Sequence, residues 1–362
     1  MIIDLAKLKS IIEIIGKIRM KAKFKVIQVG LGPMGRRITK LLIERDNIEL
    51  IGAIDIDPNL EGKKLDEIID HESVSEIKIE SNLKTLLNVK QADVVIISTS
   101  SDLKKVAPLI IEAIKANSNV ISICEELSYP FEYHPELSDE INRLAMEHHV
   151  SVVGTGINPG YLMDLLPIVL TAPCQTVQKI TITRTMNSAK RRGPFQEKIA
   201  TGLSTEEFRE KIDAKIITGH VGLTQSIQMI LSALGMTSDE IIEYPPSAVL
   251  AEKNIATSYC TIPKGLVCGL QSKAVAKKND EDLLILDFIA YAGDHEEYDS
   301  VVIEGIPRIT QKIEGGVHGD LGTAAVVANV VPIVFSANPG LHTMKDIPVP
   351  CNTAGIWKEI NE

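Results

Sequence analysis

The sequence has no C-x-x-C pair, no H-E-x-x-H, no Walker A run after its first strand pattern, no internal repeat and no long unbroken apolar stretch. Each absence removes a class of protein. Without paired or His-spaced ligands there is no zinc signature, and without G-x-x-x-x-G-K-[ST] there is no P-loop. Five cysteines, Cys124, Cys174, Cys260, Cys268 and Cys351, are scattered over 362 residues, which reads as reduced thiols in a cytoplasm rather than a disulfide frame. Positive charge is also short. Lys and Arg number 38 against 48 Asp and Glu, leaving a net charge of −10, so nucleic acid is not the expected partner, because phosphate-backbone affinity needs clustered cations. Small molecules are. The first 20 residues place Ile2, Leu5, Leu8, Ile11, Ile12, Ile15 and Ile18 on one helical stripe. Asp4, Lys7, Lys9, Glu13 and Lys17 interrupt it, so residues 1–22 read as an amphipathic packing extension and not a membrane span. No secretory cleavage site follows, and Met20 leaves a second start open.

What is present suits a globular chain: 44% apolar and 24% charged residues, with a length that calls for two domains. "KVIQVG" is a strand, 33–45 a helix, and "IELIGAID" and "ADVVIISTS" are strands. A helix over 102–116, the strand "NVISIC", a helix over 135–148 and the strand "VSVVGTG" follow. Apolar strands alternating with helices predict a parallel sheet covered on both faces, a doubly wound Rossmann domain over 23–155. After residue 170 the period becomes two, in "TVQKITITRTM" and near 265–276, 283–292 and 299–306, with "KKNDED" and "AGDHEEYD" as turns. Ser204 and Glu207 have capping-box spacing and open a helix through Lys211. Residues 156–320 therefore read as an α+β domain for substrate and dimer contacts, with a mixed or antiparallel sheet. Residues 321–362 read as a buried helix and a tail returning to the Rossmann domain, with Pro332 as a kink or stop.

Gly30, Gly32 and Gly35 form a G-x-G-x-x-G element between strand and helix, with Asp55 ending the next strand. That context is what a dinucleotide fingerprint requires. Gly30 permits the turn, Gly32 admits a pyrophosphate and Gly35 lets helix and strand pack. Pro33 and Met34 open the helix whose amides receive the phosphates. Asp55 suits the ribose hydroxyls of NAD, since a carboxylate repels a 2′-phosphate; Arg36 and Arg37 keep NADP open. Ser98, Thr99 and Ser100 lie where cofactor contacts fall, although they could equally begin a helix at Asp102. The glycine-rich "GTGINPG" brings backbone close to a flat ring, and Asn158 could hold a nicotinamide carboxamide, with a structural turn as the alternative.

The succession "VVIISTSSD", "NVISICEELSYP", "GTGINPG", "AKRRGPFQEKIATGLSTEEF", "GHVGL" and "GGVHGDLGTAAVVANVVP" resembles the 2,4-diaminopentanoate dehydrogenase family. That family lies within the wider group whose N-terminal domain is like that of dihydrodipicolinate reductase. The resemblance covers residues 24 to about 350. It implies oxidative deamination at C4 of 2,4-diaminopentanoate with NAD(P)⁺ in ornithine fermentation, a homodimer, and cofactor contacts at Gly30, Gly32, Gly35, Asn158, Pro159 and Gly160. Dihydrodipicolinate reductase itself is the rival, but its site resembles E-x-x-H or H-H with a nearby Lys and S-G-T-A. Here "ITRTMNSAKRRGP" puts Thr185, Met186 and Asn187 there, and His148-His149 falls at the end of a Rossmann helix. A non-catalytic NAD-binding regulator is the third reading.

A diamino acid carries one carboxylate and two ammonium groups, so its pocket needs cations and an acid. Lys190, Arg191 and Arg192 are the dense cationic cluster of the second half; Arg191 or Arg192 could clamp a carboxylate, or the run is a solvated face. Asp320 and Thr323 begin the last helix, where amides and a hydroxyl suit a carboxylate and Asp320 or His318 an ammonium; Asp320 could instead cap the helix. Glu125 could bind ammonium at the sheet edge. By residue type the base is Lys190 or His318 first, with His220 and Glu125 behind them. No metal is expected.

Overall fold

The computed structural model describes residues 23–189 and 193–354. The expected N-terminal extension and the cluster Lys190, Arg191 and Arg192 lie outside the described residues. The chain runs through β1 (Phe24–Val29), α1 (Pro33–Ile43), β2 (Ile48–Ile54), α2 (Asp66–Ile69), β3 (Ile79–Glu80) and α3 (Leu83–Leu87). It continues through β4 (Val94–Ile97), α4 (Leu103–Lys115), β5 (Asn119–Ser122), α5 (Pro135–Glu147) and β6 (Ser151–Gly154). Next come α6 (Leu165–Leu170), β7 (Thr176–Asn187), α7 (Gly193–Lys198), α8 (Thr205–Asp213) and α9 (Leu223–Leu234). Strands β8 (Glu240–Leu250), β9 (Ile255–Ala256), β10 (Thr261–Ile262), β11 (Val267–Lys278), β12 (Glu281–Tyr291), β13 (Tyr298–Ile306) and β14 (Ile309–Glu314) follow, then α10 (Gly319–Ser336) and β15 (Gly340–His342). There are two compact units: the described residues up to Ile157 together with those from Gly319 onward, and Asn158–His318.

The first unit holds a seven-stranded parallel sheet in the order β15-β6-β5-β4-β1-β2-β3. Every residue of β4 is fully buried, as a central strand with helices on both faces must be. Pro33 starts α1, where its missing N–H has no intrahelical partner to lose. Asp102 caps α4 by accepting from Lys104 N at 2.9 Å. α10 packs on α1, β5 and β6. It is long and apolar enough by composition to cross a membrane, yet half of it is buried inside the chain as a core helix.

Pro332 does not end that helix; α10 continues to Ser336. An interior proline costs about 3 kcal/mol. Val327, Val330, Val331 and Val334 are all buried around it, and each contributes about 1.5–3 kcal/mol by leaving water. Burial therefore outweighs the lost backbone bond.

The second unit contains a six-stranded sheet in the order β14-β13-β7-β12-β11-β8. It is mixed: β7 and β12 run parallel, while the other neighbours are antiparallel. Ser204 and Glu207 make the capping box, with Ser204 Oγ accepting from Glu207 N at 3.2 Å and Glu207 Oε2 from Ser204 N at 2.8 Å. The helix it opens runs on to Asp213. Several elements of this unit carry no clear signal in the sequence, among them α7, α9, β8 and β14. α9 is one, although Leu223, Ile227, Ile230 and Leu231 carry helical spacing and are buried. Another is β8, whose Pro245-Pro246 pair disfavours a strand. It survives because it is an edge strand and its register slips beside those prolines, between Gln271 and Lys273 of β11.

Candidate active site

The glycine turn is built by exclusion. Gly30 has φ +89°, and a Cβ there would meet Ser98 O at 2.8 Å. A Cβ on Gly35 would collide with the Gly30 carbonyl. Gly32 differs, since nothing lies within 4 Å of its missing Cβ, which leaves open space at the start of α1 where an anion meets free amides. Gln28, a polar residue inside an apolar strand, fastens the turn from below. Its Nε2 lies 3.1 Å from Val29 O, 3.1 Å from Gly30 O and 2.8 Å from Ser98 Oγ. A lone polar residue in the apolar run "VIQVG" is its signal in the sequence.

Asp55 reaches back over this turn: Oδ2 accepts from Leu31 N at 2.6 Å and Oδ1 from Asp57 N at 2.9 Å. Arg36 folds back to donate to Leu31 O at 2.7 Å, while Arg37 is exposed. A cleft of about 460 Å³ opens here, lined by Gly30, Gly32, Asp55, Ser98, Thr99 and Ser100, with Ile54, Leu83 and Leu109 as its apolar wall. Pro33 is exposed and Met34 half-buried at the helix start. Ser98 lines the cleft, but its hydroxyl is already engaged by Gln28 and by Gly30 O at 3.0 Å. Ser100 Oγ accepts from Asp102 N at 3.2 Å, the helix-start role. Thr99 is exposed.

At the end of β5 the two adjacent carboxylates differ. Glu126 accepts from Leu103 N at 2.8 Å and pairs with His134 Nε2 at 2.9 Å. Glu125 is half-buried, and its carboxylate has no hydrogen bond to a described residue. Cys124 beside it is inert: burial pushes its thiol up to about 12.

Asp320 and Thr323 sit in the same unit. α10 begins at Gly319, so the half-buried Asp320 lies within the first turn and is not the capping residue. Thr323 Oγ1 accepts from Ile157 N at 3.3 Å.

In the second unit, Asn158 Nδ2 lies 2.9 Å from Met163 Sδ and 2.8 Å from His220 Nε2. Its Oδ1 is out of contact with solvent and has no partner, an arrangement that costs about 1–3 kcal/mol unless a ligand supplies a donor. His220 stacks on Phe288 with centroids 4.4 Å apart and planes at 17°. Burial first, then Arg184 and Lys198, push its pKa down to about 3. That removes His220 from the candidate bases, because an imidazole so held takes up no proton near neutral pH.

Asp164 organises the turn that precedes α6. This fully buried carboxylate accepts from Gly160 N at 2.7 Å, Leu165 N at 2.7 Å and Ser226 Oγ at 2.9 Å. Pro159 packs against Gly222, where a Cβ would meet its Cδ at 2.8 Å. Arg184 and Asp299, facing each other across β7 and β13, are 3.3 Å apart and nearly fully buried. They grip one residue, Arg184 Nη2 donating to Val317 O and Asp299 Oδ2 accepting from Val317 N, both at 2.7 Å. His318 follows that clamp and is exposed. A charged residue on the inward face of β7, in register with an acid, was the available signal for this pair.

Comparison with known proteins matches residues 161–362 to the 2,4-diaminopentanoate dehydrogenase C-terminal domain and residues 24–121 to the N-terminus of dihydrodipicolinate reductase. The chain is 34% identical over 343 residues to a 2,4-diaminopentanoate dehydrogenase of Acetoanaerobium sticklandii, covering 93% of this chain and 97% of that protein. It is 22% identical to an amine dehydrogenase of Streptomyces virginiae, covering 88% and 95%. The structure of an amine dehydrogenase from Mycobacterium smegmatis superposes with a TM-score of 0.79 at 18% identity, covering 92% of this chain and 98% of that one; this last likeness concerns the fold.

Proposed function

The chain belongs to the 2,4-diaminopentanoate dehydrogenase family, and from that premise we propose that it oxidises the C4 amine of 2,4-diaminopentanoate to 2-amino-4-oxopentanoate and ammonia. It is an amino acid dehydrogenase acting on a CH–NH₂ group. The observation that carries the substrate is the match of 161–362 to the family's C-terminal domain. The imine reductase reading weakens on the same ground, since the family match to dihydrodipicolinate reductase is to its N-terminus, over residues 24–121, while 161–362 match the 2,4-diaminopentanoate dehydrogenase C-terminal domain.

The nicotinamide cofactor, when bound, accepts the hydride from C4. The amine gives up a proton, the resulting imine adds water, and ammonia leaves, so one reduced cofactor forms per ketone. Gly30, Gly32 and the first amides of α1 would hold the pyrophosphate. Asp55, already placed on the turn, would accept from the ribose hydroxyls, which favours NAD; the retraction of Arg36 onto Leu31 O supports the same choice. Asn158 offers Oδ1 to a ligand N–H. Glu125, with its neighbour Glu126 committed elsewhere, receives the ammonium and its proton. Asp320 and Thr323 remain candidates for the substrate's charged ends, with Arg191 and Arg192 for its carboxylate. His318 and Lys190 are the alternatives to Glu125 as base. Scattered thiols suit a cytoplasmic enzyme. The half-buried sheet face of Thr181, Thr183, Ile285 and Ile289 suits a homodimer, and ornithine degradation is the pathway this substrate would serve.

Purified chain incubated with 2,4-diaminopentanoate and NAD⁺, with NADP⁺, ornithine and lysine in parallel, should produce reduced cofactor only with the 2,4-diamine and faster with NAD⁺. Reductive turnover of dihydrodipicolinate in its place would overturn the reading.

A further inference from the structure

The contacts of Asn158 fix which end of its amide faces which way. A thioether sulfur has no proton to give, so the group 2.9 Å from Met163 Sδ is the NH₂. The same NH₂ faces His220 Nε2 at 2.8 Å, so that nitrogen accepts and the ring proton sits on Nδ1. The carbonyl oxygen, Oδ1, is left buried with no partner. Nothing about the imidazole is loose: its ring lies on Phe288, and its backbone N–H donates to Ser272 Oγ at 2.9 Å. Every N–H of the Asn158 amide is engaged by an acceptor, and its one acceptor is held empty.

We propose that His220 and Met163 are positioning residues that lock the Asn158 amide so that Oδ1 is presented to an N–H donor of a bound ligand. Two donors fit: the primary carboxamide of the nicotinamide cofactor and the ammonium of the amine substrate. The lock itself follows from contacts within the second unit; only the identity of the donor rests on the function proposed above. The burial and the cations that keep His220 unprotonated serve the same end, since a proton on Nε2 would turn the acceptor into a donor and release the amide.

The test uses His220→Phe, which keeps the stack on Phe288 and removes the acceptor, and Met163→Leu, which removes the thioether. Each variant and the parent are titrated calorimetrically with NAD⁺ and with its analogue bearing a methyl ketone in place of the carboxamide, which lacks the N–H donor. If the donor is the carboxamide, the parent prefers NAD⁺ by about tenfold, because a site built for a donor rejects a ligand without one. His220→Phe then brings the preference to within about twofold by weakening NAD⁺ alone, and Met163→Leu does so partially. If the donor is the ammonium, the cofactor preference is the same in all three proteins and KM for the diamine rises about tenfold in His220→Phe. The proposal is overturned if neither preference nor KM moves, or if both cofactors and the diamine weaken by one common factor, the mark of a merely structural role. Should His220→Phe fail to fold, Met163→Leu decides by the same criteria. The binding arm needs no turnover, so a shifted preference without activity on the diamine would sink the substrate reading and leave the lock standing.

Discussion

His220 makes the residue scale measurable. Its ordinary pKa of 6.5 falls to about 3 in the folded chain. Above about pH 6.5 it is neutral folded or unfolded and adds nothing to pH dependence. Between there and about pH 3 the unfolded chain binds a proton that the folded chain refuses, so stability is lost as pH falls, by up to about 1.4 kcal/mol per pH unit. Urea unfolding at about pH 7 and about pH 5 should show this slope in the parent and a flatter one in His220→Phe. Glu125→Gln should lower kcat by about 10²–10⁴ if the carboxylate takes the proton, read by the rate of cofactor reduction with binding of NAD⁺ unchanged. At this scale the sequence shows which residues are special by spacing, as with Gly30, Gly32, Gly35 and Asp55. It does not show partners. Gln28 and Asp164 hold their loops through residues 70 and 62 positions away, Ser98 and Ser226, and no local pattern encodes those distances.

At the scale of elements, the turn before α6 and the turn before α1 are held in different ways. Asp164 anchors the first by accepting from three donors at once. Asp164→Asn puts an NH₂ against one of them and should lower stability by about 1–3 kcal/mol, seen as a drop in melting temperature. The turn before α1 is held by the absence of a side chain. Gly35→Ala drives a methyl into the Gly30 carbonyl and should cost at least about 2 kcal/mol while abolishing NAD⁺ binding by calorimetry. Elements with strong local periodicity, such as β4 and α4, could be read directly. β8 could not, because Pro245 and Pro246 lower strand propensity regardless of whether the strand lies at an edge, and edge position is a property of the assembled sheet. Nor could the fate of Pro332, which depends on how much apolar surface the rest of the unit presents to α10.

At the scale of the whole molecule, the first unit is discontinuous: α10 and β15 return from beyond the second unit to pack on α1, β5 and β6 and to pair with β6. Removing everything after His318 should therefore damage the unit that lies mostly before it. Such a truncated chain is expected to lose NAD⁺ binding and to expose apolar surface, detectable as dye binding and aggregation, although every residue of the glycine turn is retained. The return of α10 also sets an order in time. Chains emerge from the ribosome N-terminus first, so β1 to β6 and the whole second unit are in solution before the last helix and strand exist. Throughout that interval the nascent sheet has an unpaired edge at β6 and a bare apolar face on α1. The nucleotide-binding half, though begun first, is completed last, and the slow moments of translation that matter most to its folding fall near the end of the message.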